Sequence, residues 1–482
     1  MGSIPSDAGG AMASSTTTTE TSDEAAIHPT WTFSSKPGES SLFRAVEAVL
    51  RARPDWRQTS SNVHFDLLLC ERWKVPYARL GARDGARPGM RQAVNHQRGS
   101  KGITVKGLMV KSLRAHCDAT PGIGCVSDIG LPETHLVVPG EGVDAPERVR
   151  LLASSPGGSP WICKPTGGAH GKGIHIAATP EEAVSYVDAA LKDAKAGDAV
   201  VSETSHLKNP SEATNAKQKP WQRGPVKPRA PPAWLVQRYL ANPMLLDGRK
   251  FDIRAFALVT HDRRVHFYDD WIVRTCSVPF DMSNLSDRAS HISNHCVQVQ
   301  SESYGAHEEG NEIFADDMRA YLERAYPELE EEAPPSEGEA TSAKISRGRR
   351  LYEGIVAQMR AIAAHTVASV AESLGGDDAF DSFQLLGYDF MPDEDGKVWL
   401  LEVNGSPAAA ARMTPSLAAD VVALAIDGMY PPAEYHNRAD AAGEGGGDVE
   451  RFANHPRWTD VSSLVASDEK AIVEAPTTPP KP

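Results

Sequence analysis

The sequence predicts an α/β (α+β) protein, and three stretches support that class. Residues 380–407 hold two apolar runs on either side of Asp395-Gly396, a dipeptide typical of a two-residue hairpin turn. Residues 250–255 alternate charged and apolar side chains, as a strand with one buried face does. Residues 351–374 place apolar side chains at helical spacing.

The hairpin is the first candidate for a site. If Asp395 and Gly396 form its loop, Glu394 pairs with Lys397 and Asp389 lies opposite Glu402. Asn404 falls on the same face as Glu402, because side chains alternate with period two. Two facing carboxylates repel unless a cation lies between them, and carboxylate and amide oxygens are ligands that Mg²⁺ uses. The alternative is a solvated hairpin face with one carboxylate protonated or turned away.

Length and composition narrow the class of protein. The chain has 482 residues, which is enough for two or three domains. A hydrophobic content of 40% and a charged content of 24% are ordinary for a soluble globular protein. We expect no membrane span and no secretory signal. The six dispersed cysteines have no CxxC spacing, which suits reduced thiols in a cytosolic protein.

A basic segment stands out in a chain whose net charge is −14. Between Glu71 and His116 there are eleven Lys or Arg against two acids, a local charge of about +9. Such a block suggests an acidic macromolecular partner, and nucleic acid and an acidic protein tail both fit. A solvated face is the alternative.

The N-terminal half predicts a small α/β unit that ends near Arg98. Residues 1–30 are low in complexity, so we expect a disordered tail. The spacing predicts a helix over Ser41–Leu50, a strand over Val63–Cys70 and a helix over Val105–Arg114.

A second candidate site lies between residues 159 and 177. Trp161–Lys164 is a short apolar strand ending in a lysine, followed by the glycine-rich stretch Pro165–Gly173 and a second strand at Ile174–Ile176. Strand, glycine loop and strand is typical of a flap whose backbone N–H groups close over phosphates. An ordinary hairpin loop is the alternative.

The third candidate is the strand that carries Lys250, Asp252 and Arg254 on one face. Three charges on a strand in an apolar stretch must be paired with each other or meet a charged ligand. A cross-strand ladder of ion pairs is the alternative. We expect the chain to return as a strand at Val265–Tyr268.

Other segments complete the expected organisation. We expect mobile insertions at about 190–232 and 327–350, a closing helix over Leu417–Tyr430, and a flexible tail over 433–482. The His and Cys residues of His291–Cys296 have no second ligand pair at a zinc spacing, so we do not expect a metal there.

Several stretches resemble the tubulin tyrosine ligase family of ATP-grasp ligases. They are, in order, WICKPTGGAHGKGI, LVQRYLANPMLLDGRKFDIRAFALV, IVRTCSVPF, HISNHCVQ, HEEGNEIF and FQLLGYDFMPDEDGKVWLLEVNGSP. The similarity covers roughly 31–430 apart from the insertions. The N-terminal stretches WTF, FDLLLCERWKVPYARLG and AVNHQRGSKGITVKGLMVKSL resemble tubulin tyrosine ligase itself more than its glutamylating or glycylating relatives.

This resemblance implies an ATP-grasp fold with a small N-terminal domain. The implied divisions are an N-terminal tubulin-binding domain at 31–98, a central ATP-grasp domain at 99–240 and a C-terminal ATP-grasp domain at 241–432.

The resemblance also implies the roles of individual residues. Those expected to bind ATP are Lys164, Gln237, Arg238, Tyr239, Leu240, Lys250, Asp252 and Asn294. Those expected to bind Mg²⁺ are Asp389, Glu402 and Asn404. Lys250, Arg254, Arg274 and Glu402 are the expected catalytic residues, with the two arginines stabilising charge on the transferring phosphoryl group.

The implied reaction is ATP- and Mg²⁺-dependent ligation of free tyrosine to the C-terminal glutamate of detyrosinated α-tubulin, through an acyl phosphate. The acidic α-tubulin tail would be the partner of the basic segment. We expect a monomer in the cytoplasm, associated with the cytoskeleton, that binds neither nucleic acid nor membrane. The alternatives are a glutamylase or glycylase of the same fold and an inactive protein that sequesters tubulin.

Overall fold

A computed structural model describes most of the chain between residues 31 and 467. The described ranges are 31–36, 41–61, 63–81, 91–154, 159–167, 173–190, 233–331, 344–374, 379–432 and 456–467. No helix within these ranges has the length and apolar character needed to cross a membrane. The disordered tail predicted at 1–30 lies outside them, as does nearly all of the insertion predicted at 190–232.

The described strands and helices are as follows. The strands are β1 (Trp31–Lys36), β2 (Trp56–Gln58), β3 (Leu67–Cys70), β4 (Ala93–Val94), β5 (Thr134–Val137), β6 (Trp161–Pro165), β7 (His175–Ala177), β8 (Trp234–Arg238), β9 (Leu245–Leu246), β10 (Arg249–Val259), β11 (Val265–Tyr268), β12 (Ile272–Thr275), β13 (Glu312–Phe314), β14 (Leu329–Glu331), β15 (Lys344–Ser346), β16 (Asp381–Ser382), β17 (Gln384–Pro392), β18 (Val398–Asn404) and β19 (Trp458–Asp460). The helices are α1 (Ser41–Arg51), α2 (Lys101–Thr104), α3 (Lys106–Ala119), α4 (Pro146–Ala153), α5 (180–190), α6 (Arg288–His291), α7 (His295–Gln298), α8 (Ala315–Ala325), α9 (Arg347–Ala368), α10 (Thr414–Val421) and α11 (Leu464–Ser467).

The N-terminal sheet is parallel, with strand order β16-β4-β3-β1-β2. Helix α1 packs on it through Leu42, Val46 and Leu50, which are fully buried and recur at the predicted helical spacing. The strand predicted from Val63 begins only at Leu67. Strand β16 comes from far along the chain, so the α/β unit predicted to end near Arg98 is completed by a later segment.

The second sheet is antiparallel, with strand order β5-β8-β6-β7. Its buried face holds Trp161, Cys163 and Val236, which pack against Leu151 of α4 and Val187 of α5. Strands β6 and β7 pair directly, as the prediction of a strand, a glycine loop and a strand requires.

The third sheet is built around β10, which pairs in antiparallel fashion with β9, β11, β12 and β17. All eleven residues of β10 are buried, including its charged ones. Strand β11 covers the predicted range Val265–Tyr268. The β17-β18 hairpin belongs to the same sheet. Strand β17 pairs with β10 along one edge and with β18 along the other.

The hairpin turn is longer than the sequence predicts. Asp393 N–H donates to the Lys397 carbonyl over 2.9 Å, so three residues connect the strands and the predicted pairing of Glu394 with Lys397 is wrong. Gly396 has φ of 81°, in the left-handed region that glycine tolerates best. Asp393 fixes the turn by accepting the N–H groups of Asp395 and Lys397 with its side chain.

A β-bulge then restores the predicted pairing deeper in the sheet. Phe390 pairs with Leu400 while Asp389 pairs with Glu402, so Leu401 is the extra residue. The predicted opposition of Asp389 and Glu402 is therefore confirmed. A bulge shifts the register by one residue, which compensates for the one extra residue in the turn.

Helices lie on both faces of this sheet: α9 shares a core with Ile253 and Ala255 on the face away from the pocket described below, and α10 shares one with Phe256 and Leu258 on the other face. Helix α9 begins at Arg347, where the Ser346 hydroxyl accepts the Arg349 N–H, and it confirms most of the helix predicted over 351–374. The closing helix predicted over 417–430 starts earlier, at Thr414, and becomes a π-turn over Val422–Ile426.

Two predicted flexible segments are partly ordered. Strands β14 and β15 pair with each other, so both ends of the insertion predicted at 327–350 are structured, and residues 332–343 lie outside the described residues. The tail predicted from residue 433 contains β19, which adds to the edge of β11. Trp458 and Val461 of this segment are buried, which sequence composition alone does not indicate.

Substitution of Trp458 tests how far this segment stabilises the fold. Its side chain is 4% exposed and its ring centroid lies 4.7 Å from that of Tyr268. We expect Trp458→Ala to lower the free energy of unfolding by about 3–5 kcal/mol, because it leaves a large cavity. Urea unfolding measures this, with exposed Val143→Ala as the control. An unchanged transition midpoint would show that the segment is dispensable.

Candidate functional site

A pocket opens between the second and third sheets, with an empty volume of about 860 Å³. Many of the residues predicted from the sequence line it, namely Lys164, Gln237, Arg238, Tyr239, Leu240, Lys250, Asp252, Asn294, Asp389 and Glu402. The other three predicted residues, Arg254, Arg274 and Asn404, bind carboxylates that line the pocket. The fold therefore gathers distant parts of the chain at one place.

The charged face of β10 forms the floor of the site. Lys250, Asp252 and Arg254 project to the same side, because they occupy alternate positions of one strand. Strand pairing places Arg274 of β12 opposite Asp252 and Asp389 of β17 opposite Arg254. Asp252 and Arg254 therefore each lie opposite a residue of opposite charge on a neighbouring strand.

These side chains form a continuous buried ion network. Arg254 Nε lies 2.5 Å from Asp389 Oδ1, and a terminal nitrogen of Arg274 lies 2.9 Å from Asp389 Oδ2. Arg274 also holds Asp252 through two bonds of 2.6 and 2.7 Å. The ladder of ion pairs, the alternative interpretation of this strand, is therefore present.

The network fixes the charge states of its members. Burial alone would raise the pKa of Asp389, but the nearby guanidinium groups of Arg254 and Arg274 outweigh it and hold that pKa well below its usual range. Burial opposes the charge of Arg274 in the same way, and the carboxylates of Asp252 and Asp389 raise its pKa above the ordinary value. Asp389 is therefore a carboxylate at neutral pH.

Glu402 lies at the edge of this network and has its own partners. Its Oε2 lies 2.6 Å from Lys106 Nζ, and its Oε1 accepts a hydrogen bond of 3.1 Å from the Asn404 amide. Asn404 and Glu402 are therefore in contact, as their predicted position on one strand face requires.

Lys106 belongs to this site, and sequence reasoning missed it. It was counted in the basic segment assigned to an acidic partner, yet it lines the pocket and is paired with Glu402. No spacing or motif marks it, because it reaches the pocket from the first turn of α3. Two more cations of that segment have internal partners, since Arg91 pairs with Asp381 and Arg114 with Glu147.

Lys250 is held by a chain of buried hydrogen bonds. Its Nζ donates to the Tyr239 hydroxyl over 2.7 Å, and that hydroxyl lies 2.7 Å from Nδ1 of His291. His291 Nε2 lies 3.1 Å from the Asn284 carbonyl, which can only accept, so Nε2 carries the proton and Nδ1 accepts from Tyr239. Burial lowers the pKa of Lys250 to about 7.

Lys164 reaches the pocket from the second sheet. Its Nζ donates to Gln237 over 2.9 Å, and the Gln237 amide donates in turn to the Thr134 hydroxyl over 2.9 Å. Burial lowers the pKa of Lys164 to about 8. Each of these lysines has a hydrogen-bonded partner, and among the described residues no carboxylate forms an ion pair with either of them, so each can accept an anion.

The remaining predicted residues line the pocket wall. Arg238 is bound to Glu133, with a shortest contact of 2.6 Å, and stacks over the Trp161 ring, while Leu240 follows it on the same wall. Asn294 precedes α7, and its neighbour Ser293 donates to Asp252 over 2.7 Å. Asp252 is thus engaged by Ser293 as well as by Arg274.

The glycine-rich flap is only partly described. Strands β6 and β7 bring its two ends together, and Pro165 and Ile174 line the pocket beside Lys164. Residues 168–172, which include most of the predicted loop, lie outside the described residues. The described ends of the predicted loop therefore lie at the pocket.

The donor set of the site suits a divalent cation with hard oxygen ligands. Asp389 and Glu402 offer carboxylates and Asn404 an amide oxygen, which fits Mg²⁺ bound through few protein ligands and substrate phosphates. The described residues include no cluster of three His, Cys, Asp or Glu that could hold a metal alone. The third ligand would therefore be an amide or come from the substrate.

Cations outnumber carboxylates in this site. Among the described residues that line the pocket or bind its carboxylates, there are three carboxylates, Asp252, Asp389 and Glu402, and six Lys or Arg side chains, Lys106, Lys164, Arg238, Lys250, Arg254 and Arg274. A buried surplus of positive charge favours an anionic ligand. Two antiparallel sheets that enclose such a pocket define a protein of the ATP-grasp class.

The chain belongs to the tubulin-tyrosine ligase family, whose model matches residues 86–438. It is similar to the "Probable tubulin polyglutamylase TTLL9" of Bos taurus, with 26% identity over 395 residues that cover 77% of this chain and 74% of that protein. It is also similar to the "Protein polyglycylase TTLL10" of Macaca fascicularis, with 29% identity over 250 residues. That match covers 52% of this chain and 34% of the relative.

A further relative is the human "Inactive polyglycylase TTLL10", with 30% identity over 52% of this chain and 31% of that protein. The names of these relatives refer to glutamate or glycine. The expectation of tyrosine as the added amino acid therefore gains no support from them, and the alternative of a glutamylase or glycylase fits them better.

The ion network yields a stability prediction. Asp389→Asn removes the carboxylate shared by Arg254 and Arg274 and leaves two buried guanidinium groups short of a counter-charge. We expect a loss of about 3–5 kcal/mol in the free energy of unfolding at neutral pH, measured by urea unfolding. Asp395→Asn, at the exposed hairpin tip, is the matched control.

The pH dependence of that loss has a defined sign. The folded-state pKa of Asp389 lies below its ordinary value of 3.8, so its contribution is complete above that value and declines as the pH falls further. The difference between wild type and Asp389→Asn should shrink in acid. A difference that is absent at neutral pH would contradict the assigned role of the network.

Proposed function

We propose that this chain is an ATP- and Mg²⁺-dependent carboxylate–amine ligase that adds glutamate to a glutamate residue of tubulin. The supporting observation is that, in a member of this ligase family, Arg254 and Arg274 both bind Asp389, a candidate metal ligand that lies opposite Glu402. The reaction would take place in the cytoplasm, on tubulin or microtubules, and the enzyme would act as a monomer.

Glutamate is the favoured amino acid because of how the relatives align. The bovine relative named as a polyglutamylase matches across 77% of this chain and 74% of its own length. The macaque relative named as a polyglycylase matches over only 34% of its length, so it bears less on the whole enzyme. Tyrosine is a second candidate, favoured by the resemblance of the N-terminal stretches to tubulin tyrosine ligase.

The buried cations would position the ATP phosphates. Lys164 and Lys250 have hydrogen-bonded partners but no close counter-ion, so they can bind phosphate oxygens without losing an existing ion pair. Tyr239 and Leu240 on the pocket wall would border the adenine. Asp252, which the family resemblance assigns to the ribose, would exchange part of its contact with Arg274.

Arg254 and Arg274 would stabilise the phosphoryl group as it moves to the acceptor carboxylate. Phosphoryl transfer depends chiefly on positioning and on fixed positive charge, and these guanidinium groups are already held in place by Asp389. Asp389, Glu402 and Asn404 would hold Mg²⁺, which when bound neutralises charge on the phosphates.

Part of the basic segment is free to meet an acidic tubulin tail. Arg79 and Lys101 are exposed, and Trp73 of the same basic segment is 80% exposed. A cationic surface attracts an acidic tail over about one Debye length, roughly 8 Å at physiological salt. Capture of the tail by this surface would bring the acceptor carboxylate towards the pocket.

Incorporation of labelled amino acids tests the proposal. Purified protein, Mg-ATP and tubulin treated with carboxypeptidase are incubated with labelled glutamate, glycine or tyrosine. We expect incorporation of glutamate, and its loss in Glu402→Gln because a metal ligand is removed. Glu394→Gln on the same hairpin is the control and should retain activity.

Each other outcome has a distinct meaning. Tyrosine incorporation would establish the second candidate, and glycine incorporation would overturn the choice of glutamate within the same chemistry. Tubulin binding without any incorporation would indicate an inactive sequestering protein and would contradict the proposal.

ATP binding should take up protons at about pH 8. The pKa of Lys250, lowered by burial to about 7, leaves it largely neutral there, and phosphates brought into contact favour the charged form. Titration calorimetry in two buffers of different ionisation enthalpy measures this uptake. It should fall in Lys250→Met but not in Lys111→Met, which alters an exposed side chain. Equal uptake in both variants would exclude Lys250 as a phosphate ligand.

A further inference from the structure

A row of charges crosses three strands of the third sheet. Glu312 of β13 pairs directly with Arg274 of β12, which pairs with Asp252 of β10. Directly opposed residues of antiparallel strands project to the same face, so all three side chains lie on the face that carries the candidate site. Glu312 is the outermost member of this row, at the edge of the ion network.

Arg274 does not neutralise Glu312. Its guanidinium is committed to Asp252 and Asp389, at distances of 2.6 to 2.9 Å. Among the described residues, no side chain forms a hydrogen bond or close ion pair with the Glu312 carboxylate, although the side chain is half-buried. A carboxylate in that setting is a ready acceptor for a cationic ligand.

Two polar side chains lie near Glu312. His295 of α7 and Tyr304 lie close by, with the Tyr304 hydroxyl 3.3 Å from His295 Nδ1. Burial raises the pKa of Glu312, and the charges of His295 and Arg274 offset only part of that rise. Glu312 is therefore more basic than an ordinary glutamate, and it lies beside Arg274.

Amide formation requires a proton acceptor at this place. The amino group of an amino acid is an ammonium ion near neutral pH and must lose a proton before it attacks. The other carboxylates of the site are occupied, since Asp252 and Asp389 bind arginines and Glu402 binds Lys106. Glu308, which is close in sequence, is bound to Arg249.

We propose that Glu312 is the catalytic residue that binds the α-ammonium group of the incoming amino acid and takes its proton. His295 and Tyr304 would line the same subsite. This inference rests on the proposed ligase function. It assigns the subsite for the incoming amino acid, to which none of the nucleotide-binding or metal-binding residues was assigned.

The proton and electron balance of the step is simple. Glu312 removes one proton from the ammonium, and the freed nitrogen lone pair forms a C–N bond to the carbonyl carbon of the acyl phosphate. The C–O bond to phosphate then breaks, and phosphate leaves with the electron pair. The second nitrogen proton leaves with the phosphate, and Glu312 releases its own proton to solvent.

The test separates the two halves of the reaction. Glu312→Gln keeps the shape of the side chain but removes its charge and basicity, and Glu309→Gln changes an exposed neighbour as the control. Ligation is measured with tubulin, Mg-ATP and labelled amino acid. Formation of the acyl phosphate is measured by trapping with hydroxylamine, a nucleophile that is unprotonated near neutral pH and needs no general base.

We expect Glu312→Gln to lower kcat/KM for the amino acid by about 10²–10³-fold, within the range for loss of a general base. ATP-dependent hydroxamate formation should stay near the wild-type level. The acidic limb of the wild-type pH profile, which we assign to Glu312, should disappear in the variant, and Glu312→Asp should restore part of the activity.

The contrary outcomes are distinct. Wild-type ligation in Glu312→Gln, or an equal loss of ligation and hydroxamate formation, would overturn the assignment of Glu312 and leave the ligase function standing. Wild-type protein that forms neither ligation product nor hydroxamate would overturn the proposed function and this inference with it.

Discussion

The buried ion network on β10 is the constraint on which the rest of the site depends. Asp252 and Arg254 lie on a strand of the third sheet whose eleven residues are all buried, where an unpaired charge costs several kcal/mol. They are tolerated because the pairings with β12 and β17 bring Arg274 and Asp389 into contact with them. The strand register and the charge pattern therefore determine each other, and a shift of either would leave buried charges without partners.

The same network explains how one site can serve both structure and catalysis. Arginines held by Asp389 are fixed before any substrate arrives, so little reorganisation is needed when a phosphoryl group enters. Lys164 and Lys250 have only neutral hydrogen-bond partners, which leaves positive charge available for phosphates. Glu312 extends the row to the edge of the sheet, where a second substrate could approach without disturbing the nucleotide.

The sequence predicts the site well where chemistry leaves a local pattern. Alternation on β10 places Lys250 beside the two other charges, and the hairpin pairing brings Asp389 opposite Glu402, although a bulge and a longer turn together produce that register. Contacts between distant segments leave no such pattern. Lys106 reaches Glu402 of β18 from helix α3, and β19 pairs with the edge of β11 while Trp458 and Val461 become buried, so neither contact could be predicted from spacing.

In the proposed reaction, the site transfers the γ-phosphoryl group of ATP to a protein carboxylate. Positional isotope exchange tests this directly, with ATP carrying ¹⁸O in the β–γ bridge, the purified protein, Mg²⁺ and tubulin, but no amino acid. Reversible formation of an acyl phosphate predicts that ¹⁸O moves to the non-bridging positions of the β-phosphate, and only when tubulin is present. If the protein ligates an amino acid but the ¹⁸O in ATP does not move, transfer of the γ-phosphoryl group to a tubulin carboxylate is contradicted. Movement of ¹⁸O without tubulin would contradict it as well.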